Sequence, residues 1–204
     1  MSEIDRKTEQ VVVFVDNSAF YRALHLLDVP CKVDYRLLRD TLISNRTASQ
    51  LRFYCGEIAG DAEARKGFYQ VLRNAGFDIF AGHRYGTRGV FNAALDEPLQ
   101  RWIHCQIAYD MASLMNWGNY DTFILVSGDP EYAGVIHDLR RRGVNVEVAF
   151  FDRACSRDLR ETASCFREID ICDCLLGSFD FTGQEREECR RRVANINKML
   201  SSIE

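Results

Sequence analysis

The sequence lacks a hydrophobic run long enough to cross a lipid bilayer, which takes about 20 consecutive apolar residues in a helix. Its opening segment, MSEIDRKTEQ, is polar, carries both signs of charge and contains no apolar core of the kind found in signal peptides. We therefore expect a soluble protein that has no membrane segment and is located in the cytoplasm.

The sequence also lacks a large excess of either sign of charge, because 26 basic and 30 acidic residues leave a formal net charge of −4. Binding to nucleic acid by bulk charge draws on an excess of Lys and Arg, so this balance argues against it but leaves room for a local basic patch. The 8 cysteines contain no C-x-x-C pair, so a zinc site has little support. We expect reduced, mostly buried thiols in a reducing compartment.

Apolar segments typical of buried strands alternate with segments of helical period along the 204 residues. The strand-like segments are VVVFVD (11–16), LRFYCGEI (51–58), FDIFAG (77–82), DTFILVSG (121–128) and VNVEVAFF (144–151). The helix-like segments cover 17–27, 34–44, 62–76, 99–116, 131–143 and 156–169. This alternation predicts a three-layer α/β/α domain with a central, mostly parallel sheet of about five strands. We assign the domain to residues 1–175 and a C-terminal helical tail to residues 176–204.

Acidic residues follow two of the predicted strands. Asp16 ends the first strand, Asp129 follows the fourth, and Glu131 lies just beyond it. Ligands of an open parallel sheet bind beyond the carboxyl ends of its strands, so these side chains should meet at one edge. Asp110 lies next to Met111 in the apolar stripe of the long helix and could point to the same edge.

Clustered carboxylates repel one another and need a cation to stay ionised. Oxygen ligands at this density suit Mg²⁺ or Mn²⁺, which can orient water and offset the charge of a phosphodiester. Each acid also has a purely structural interpretation. Asp16 and Asp129 could be helix N-caps or turn formers, Glu131 could favour the positive end of the following helix, and Asp110 could be a solvated helix residue. The metal-site hypothesis therefore depends on their convergence.

Four segments, in chain order, resemble the NYN domain family of PIN-like nucleases. They are VVVFVDNSAFY, IAYDMASLM, YDTFILVSGDPEYAGVIHDLRRRGVNVEVAFF and CSRDLRETASCFREID. The most specific is YDTFILVSGDPEYAGVIHDLRRRG, which is similar to the family's strand, SGD and helix segment. The resemblance implies a PIN-like α/β/α fold and Mg²⁺- or Mn²⁺-dependent ribonuclease activity.

The resemblance also implies roles for individual residues. Asp16, Asp110 and Asp129 match the family's metal-binding acids, and Glu131 stands where the family usually has a further Asp. These four residues are the expected catalytic set. Asn17, Ser127 and His104 are possible auxiliary residues.

Two positions depart from the family pattern. Ala19 replaces a frequent Asn, and His104 replaces an Asp that usually precedes the helix Asp by six residues. His104 is open between a metal ligand, a general base and a filler, and its neutral imidazole would weaken the binding of a hard cation. Asp96 or Glu97 could substitute for the missing acid if the preceding loop folds back.

Two regions suggest partners. The predicted loop before the long helix contains His83, Arg84, Tyr85 and Arg88, and Arg101 follows it in the helix. Such side chains can stack on unpaired bases and contact phosphates, so Arg84, Arg88 and Arg101 are RNA-binding candidates, although an ordinary surface loop has the same composition. The C-terminal helix could pack on the domain, bind a protein partner or form a homodimer, and the pattern does not choose among these.

Three functional hypotheses follow from these patterns. The first is a metal-dependent endoribonuclease acting on RNA. The second is a PIN-like module that has lost catalysis and binds RNA or a protein, motivated by Ala19 and His104. The third is a phosphohydrolase, because an acidic sheet edge that holds a metal also suits that chemistry.

Overall fold

A computed structural model of the chain describes residues 9–26, 33–56, 62–82, 97–169 and 191. Its strands are β1 (Gln10–Asp16), β2 (Thr47–Gly56), β3 (Asp78–Gly82), β4 (Thr122–Val126), β5 (Asn145–Phe150) and β6 (Cys165–Glu168). Its helices are α1 (Asn17–Leu26), α2 (Tyr35–Ile43), α3 (Ala62–Asn74), α4 (Glu97–Trp117), α5 (Ala133–Arg141) and α6 (Arg157–Thr162). Short 3-10 turns cover Pro130–Tyr132 and Asp152–Ala154. The predicted loop at 83–96 and the predicted C-terminal helix lie outside the described residues, except for Arg191.

The strands form a single six-stranded sheet in the order β3-β2-β1-β4-β5-β6, and every described pairing is parallel. The continuous apolar runs VVVFV and TFILV supply the two middle strands, β1 and β4, whose residues are buried along those runs. A strand that is covered by helices on both faces has a continuous apolar sequence, and for this reason the sequence predicted these two strands well. The α/β fold class is confirmed.

The strand order reverses between β1 and β4. From β1 the chain proceeds outward through β2 to β3, and from β4 it proceeds the other way through β5 to β6. Val15 pairs with Val126, so Asp16 and the residues after β4 emerge side by side at the same edge. A crevice forms at the carboxyl end of such a switch point, and this is where an open α/β sheet binds its ligands.

The long helix α4 packs across β1, β2 and β3. Its predicted apolar stripe is buried, with Ile103, Ile107 and Met111 each at most 1% exposed. Gly82 at the end of β3 lets the helix come close, because a Cβ there would lie 2.3 Å from the ring of Trp102. Within the described ranges, no helix has both the length and the apolar character needed to cross a membrane.

The sheet has a sixth strand where the sequence predicted a helix over 156–169. The helix α6 ends at Thr162, and Ala163 after it has an extended backbone. The chain then pairs with the exposed edge of β5, where Ser164 N donates to the carbonyl of Val146 and Ile169 N donates to the carbonyl of Phe150. Satisfying those edge groups outweighs the local helical period, because unpaired backbone groups are costly when buried.

Candidate metal centre

Asp16 is fully buried at the end of β1. One carboxylate oxygen accepts hydrogen bonds from the backbone N–H of Ser18 at 2.9 Å, from its hydroxyl at 2.6 Å and from the N–H of Ala19 at 3.1 Å. These bonds cap α1, so the helix-cap interpretation of Asp16 also holds. The other oxygen accepts from Ser127 Oγ at 3.2 Å and from the Tyr132 hydroxyl at 3.0 Å. The carboxylate is therefore held in one orientation.

Asp129 follows β4 and starts the 3-10 turn that leads into α5. Its Oδ1 accepts from the N–H of Glu131 at 3.1 Å, and its own N–H donates to Ser127 Oγ at 3.2 Å. Its Oδ2 forms an ion pair with Arg22 Nη2 at 3.2 Å. One oxygen therefore shapes the turn while the other remains directed at the crevice, where Arg22 and the imidazole of His104 face it.

His104 projects from α4 between these acids. Its Nε2 lies 3.5 Å from Oδ2 of Asp16 and 3.5 Å from Oδ2 of Asp129. Its Nδ1 lies 2.5 Å from Oε2 of Glu131. The side chain is 9% exposed, and its ring contacts Tyr132 edge-on with centroids 5.1 Å apart. The histidine that departs from the family pattern thus lies at the centre of the acidic cluster.

The Asp16 carboxylate and the His104 imidazole stabilise each other's charged forms. Burial alone raises the pKa of Asp16, but the nearby His104 ring and the hydrogen bonds from Ser18 and Ala19 lower it below its ordinary value. Burial alone lowers the pKa of His104, but the carboxylates of Asp16, Glu131 and Asp129 around the ring raise it to about 9. Without a metal, the imidazole of His104 at the centre and the guanidinium of Arg22 at the rim supply the positive charge of this pocket.

The residues present suit a bound metal ion. One ligand atom from each of His104, Asp129 and Glu131 lies within 4.8 Å of the other two. His104 Nε2 is buried and makes no hydrogen bond of normal geometry with any residue that the structure describes. Imidazole nitrogen and carboxylate oxygen together form a ligand set that divalent metals accept. This edge of the sheet therefore has side chains that can serve as metal ligands. One of their atoms, His104 Nε2, lacks a hydrogen-bond partner among the described residues, and an ion could take the place of that partner.

Comparison with known proteins identifies the family. The NYN domain, a member of the PIN-like nuclease superfamily, matches residues 10–170. The chain belongs to the NYN domain family. Its structure is similar to that of a protein of unknown function from Vibrio parahaemolyticus, with a TM-score of 0.66 and 22% identity over 85% of this chain and 99% of that one. That likeness supports the fold alone. No curated protein matches the chain.

Asp110, which the sequence predicted to join the acidic cluster, has its contacts in a different network. Its Oδ2 accepts from Arg52 Nη1 at 2.8 Å and from the Tyr54 hydroxyl at 2.7 Å, and its Oδ1 accepts from Gln106 at 3.0 Å. Arg52 also stacks on the ring of Phe80, 4.8 Å from its centroid. The guanidinium already neutralises this carboxylate. The assignment of Asp110 to the metal ligands stays a prediction.

The remaining predicted residues are distributed as follows. Ser127 lies inside the cluster, where its hydroxyl joins Asp16 to the backbone of Asp129. Asn17 is the half-buried first residue of α1, and Arg101 is on the exposed side of α4. Arg84 and Arg88 lie outside the described residues, as does Asp96.

Sequence reasoning missed two residues of the site, Arg22 and Tyr132. Arg22 reaches Asp129 from α1, and the buried Tyr132 donates its hydroxyl to Asp16. Tyr132 carried a usable signal, since an aromatic residue placed three positions after Asp129 returns to the same side of a helical turn. Arg22 carried none, because its partner is 107 residues away.

Proposed function

We propose that the chain is a divalent-metal-dependent endoribonuclease that hydrolyses RNA phosphodiester bonds at this sheet edge. The observation that carries the proposal is the convergence of Asp16, His104, Asp129 and Glu131 at the β1/β4 switch point of a NYN domain. Their side chains come from two strand ends, the turn after β4 and one helix, and carboxylates gathered at such a switch point can hold a metal ion that acts on a phosphodiester.

The carboxylates of Asp16 and Asp129 would hold the ion, either Mg²⁺ or Mn²⁺, with Glu131 as a further ligand or as the group that orients the attacking water. When bound, the ion supplies a polarised water and offsets charge on the phosphate. Asp16 contributes rigidity, because five hydrogen-bond contacts from Ser18, Ala19, Ser127 and Tyr132 fix its oxygens. Such preorganisation reduces the rearrangement needed during reaction.

Arg22, which lies at the rim of the cluster, could contact the RNA backbone. Its side chain is 32% exposed, and only part of its guanidinium is engaged, by Asp129 at 3.2 Å and by Gln100 at 3.5 Å. The planar guanidinium has five donors, so it can hold Asp129 and contact a phosphate oxygen together. Arg101 and the loop residues Arg84 and Arg88 remain the predicted outer contacts.

The test is cleavage of a panel of end-labelled single-stranded and structured RNAs in Mg²⁺, Mn²⁺ or EDTA. We expect wild-type cleavage only with metal, and a loss of at least about 100-fold in Asp129→Asn, because several kcal/mol of charge stabilisation disappear. Asp138→Asn is the matched control, since Asp138 is exposed on α5, where it forms an ion pair with Arg142. Equal, metal-dependent activity in wild type and Asp129→Asn would contradict the proposal.

A second function, a non-catalytic module that binds RNA or a protein partner, is favoured by one observation. The pKa of His104 is raised to about 9 by Asp16, Glu131 and Asp129, so at neutral pH a protonated imidazole balances the cluster without a metal. If this second function is correct, the affinity for RNA, measured by fluorescence anisotropy, should be the same in EDTA and in Mn²⁺. No RNA in the panel should be cleaved.

A further inference from the structure

The two ring nitrogens of His104 face different partners. Nδ1 lies 2.5 Å from the carboxylate of Glu131, and Nε2 faces Oδ2 of Asp16 and Oδ2 of Asp129 at 3.5 Å each. In the neutral imidazole one nitrogen is a donor and the other an acceptor. When the ring loses its Nε2 proton, as metal binding requires, a proton kept on Nδ1 and donated to Glu131 leaves the Nε2 lone pair directed at the two aspartates.

This arrangement is the one found around histidines that bind metals. Such a histidine almost always donates its other N–H to a carboxylate or carbonyl, which fixes the tautomer and the ring orientation. Here the outer carboxylate is Glu131, whose side chain is 64% exposed, whereas the inner nitrogen is buried and makes no hydrogen bond of normal geometry within the described part of the chain. A buried polar atom without a partner is costly, and a bound ion would satisfy it.

We propose that His104 Nε2 is itself a metal ligand, together with the carboxylates of Asp16 and Asp129, and that this centre prefers a first-row transition-metal dication over Mg²⁺. Glu131 then positions the imidazole. The proposal rests on the proposed metal-dependent function and adds the ligand set and the class of ion.

The chemistry of the donors gives the preference. Mg²⁺ favours oxygen ligands and near-ideal octahedral geometry, so replacing a carboxylate by an imidazole removes both charge and a preferred donor. Transition-metal dications accept imidazole nitrogen readily. Mn²⁺ is the suitable probe because it is paramagnetic and also tolerates the two carboxylates.

The direct test is electron spin echo spectroscopy of Mn²⁺ bound to the full chain. We expect ¹⁴N modulation from a coordinated histidine, its replacement by a ¹⁵N pattern when histidine is isotopically labelled, and its loss in His104→Gln. His137→Gln is the matched control, because His137 is exposed on α5 and its removal should leave the modulation unchanged. The labelled wild type answers the question even if His104→Gln fails to fold.

Calorimetric titration tests the preference without any activity measurement. We expect wild type to bind Mn²⁺ more tightly than Mg²⁺, and His104→Asp, which restores an all-oxygen set, to lower that ratio by about tenfold or more. Glu131→Gln should weaken Mn²⁺ binding by about 10–100-fold, the usual effect of losing the outer partner of a ligating histidine.

The outcomes separate the two proposals. The ligand assignment is wrong if Mn²⁺ binds without ¹⁴N modulation from histidine, or if the modulation persists in a folded His104→Gln. Neither result contradicts a metal-dependent nuclease. An unchanged Mn²⁺ to Mg²⁺ ratio in His104→Asp overturns the preference. Histidine-coordinated Mn²⁺ without cleavage of any RNA supports the ligand assignment and counts against the nuclease.

Discussion

The Nε2 atom of His104 lies 3.5 Å from Oδ2 of Asp16, a carboxylate that is completely buried. The same nitrogen lies 3.5 Å from Oδ2 of Asp129. A buried acidic cluster needs a positive charge, and two sources in this crevice are Arg22 at its rim and the imidazole at its centre. The protonation of one histidine therefore affects the stability of the whole cluster.

Without metal, the free energy of unfolding should fall as the pH rises from 6.5 to 8.5. His104 has a pKa raised from 6.5 to about 9 in the fold, so its contribution is complete below pH 6.5 and is lost as the pH rises through 9. The shift corresponds to about 3 kcal/mol. Urea unfolding in EDTA across this range measures it. Burial raises the pKa of Cys55 to about 11, which affects stability only above about pH 8.5.

The control for this pH dependence is His104→Gln, which has no imidazole to titrate. Its free energy of unfolding should change much less than that of wild type over the same range, whereas His137→Gln should keep the wild-type slope. A parallel slope in wild type and His104→Gln would show that another group causes the dependence.

The Asp110→Asn variant should lose stability more than activity. The Arg52–Asp110 pair is largely buried, with side-chain exposures of 17% and 11%, so removing the charge of Asp110 leaves the guanidinium without its counterion. We expect a loss of roughly 1–3 kcal/mol in urea unfolding and RNA cleavage within a few-fold of wild type, compared at a temperature where both are folded. Wild-type stability with cleavage abolished would instead support Asp110 as a metal ligand.

The sequence predicted the parts of the site that depend on strand ends. The apolar runs of β1 and β4 end at Asp16 and Ser127, and parallel pairing brings those ends to one edge, so the meeting of Asp16 and Asp129 followed from pattern alone. The direction of Asp110 did not, because its partner Arg52 is on β2 and 58 residues away. Neighbouring residues of a helix point in directions about 100° apart, so a small rotation of the helix decides which polar groups a side chain contacts. Tertiary packing sets that rotation.

The position of His104 at the centre of the acidic cluster likewise could not be predicted from the sequence pattern. The sequence left it open between a ligand, a base and a filler, since a histidine near a core stripe is compatible with all three. In the structure, Glu131 contacts one ring nitrogen from a turn 27 residues away and the other nitrogen faces the aspartates, so the ring has a defined position while its role stays a prediction. The missed strand β6 has the same origin, because its stability comes from the edge of β5 and not from its own four residues.

The Glu147→Gln variant should be destabilised because Glu147 holds two arginines together. Its carboxylate accepts from Arg46 at 2.7 Å and from Arg167 at 3.1 Å, and its side chain is 13% exposed. Removing the charge leaves two neighbouring guanidinium groups that repel one another. We expect a loss of roughly 1–3 kcal/mol, read from urea unfolding. Glu161→Gln, which breaks the exposed pair with Arg157, should change stability by at most about 0.5 kcal/mol. Equal effects would refute this reasoning.

Gly128 lets the turn formed by Ser127, Gly128 and Asp129 pack closely against the segment that follows β5. A Cβ at this position would lie 2.1 Å from the carbonyl oxygen of Ala154 and 2.6 Å from the ring of Phe150, and the Gly128 carbonyl accepts from the N–H of Ser156 at 2.9 Å. Backbone cannot move as a side chain does, so Gly128→Ala must displace the turn that carries Asp129. We expect a loss of about 1–3 kcal/mol in urea unfolding, accompanied by weaker Mn²⁺ binding.

The matched control for Gly128→Ala is Gly134→Ala, in the helix α5 that follows the same turn. A Cβ at Gly134 meets nothing within 4 Å, so the added methyl should raise stability by about 0.5–1 kcal/mol through helix propensity and leave Mn²⁺ affinity unchanged. The contrast isolates the steric contact, because both variants add one methyl group to a glycine near Asp129. If Gly128→Ala proved as stable as wild type and bound Mn²⁺ equally well, the turn would have room to move, and its position could not be what holds Asp129 against His104.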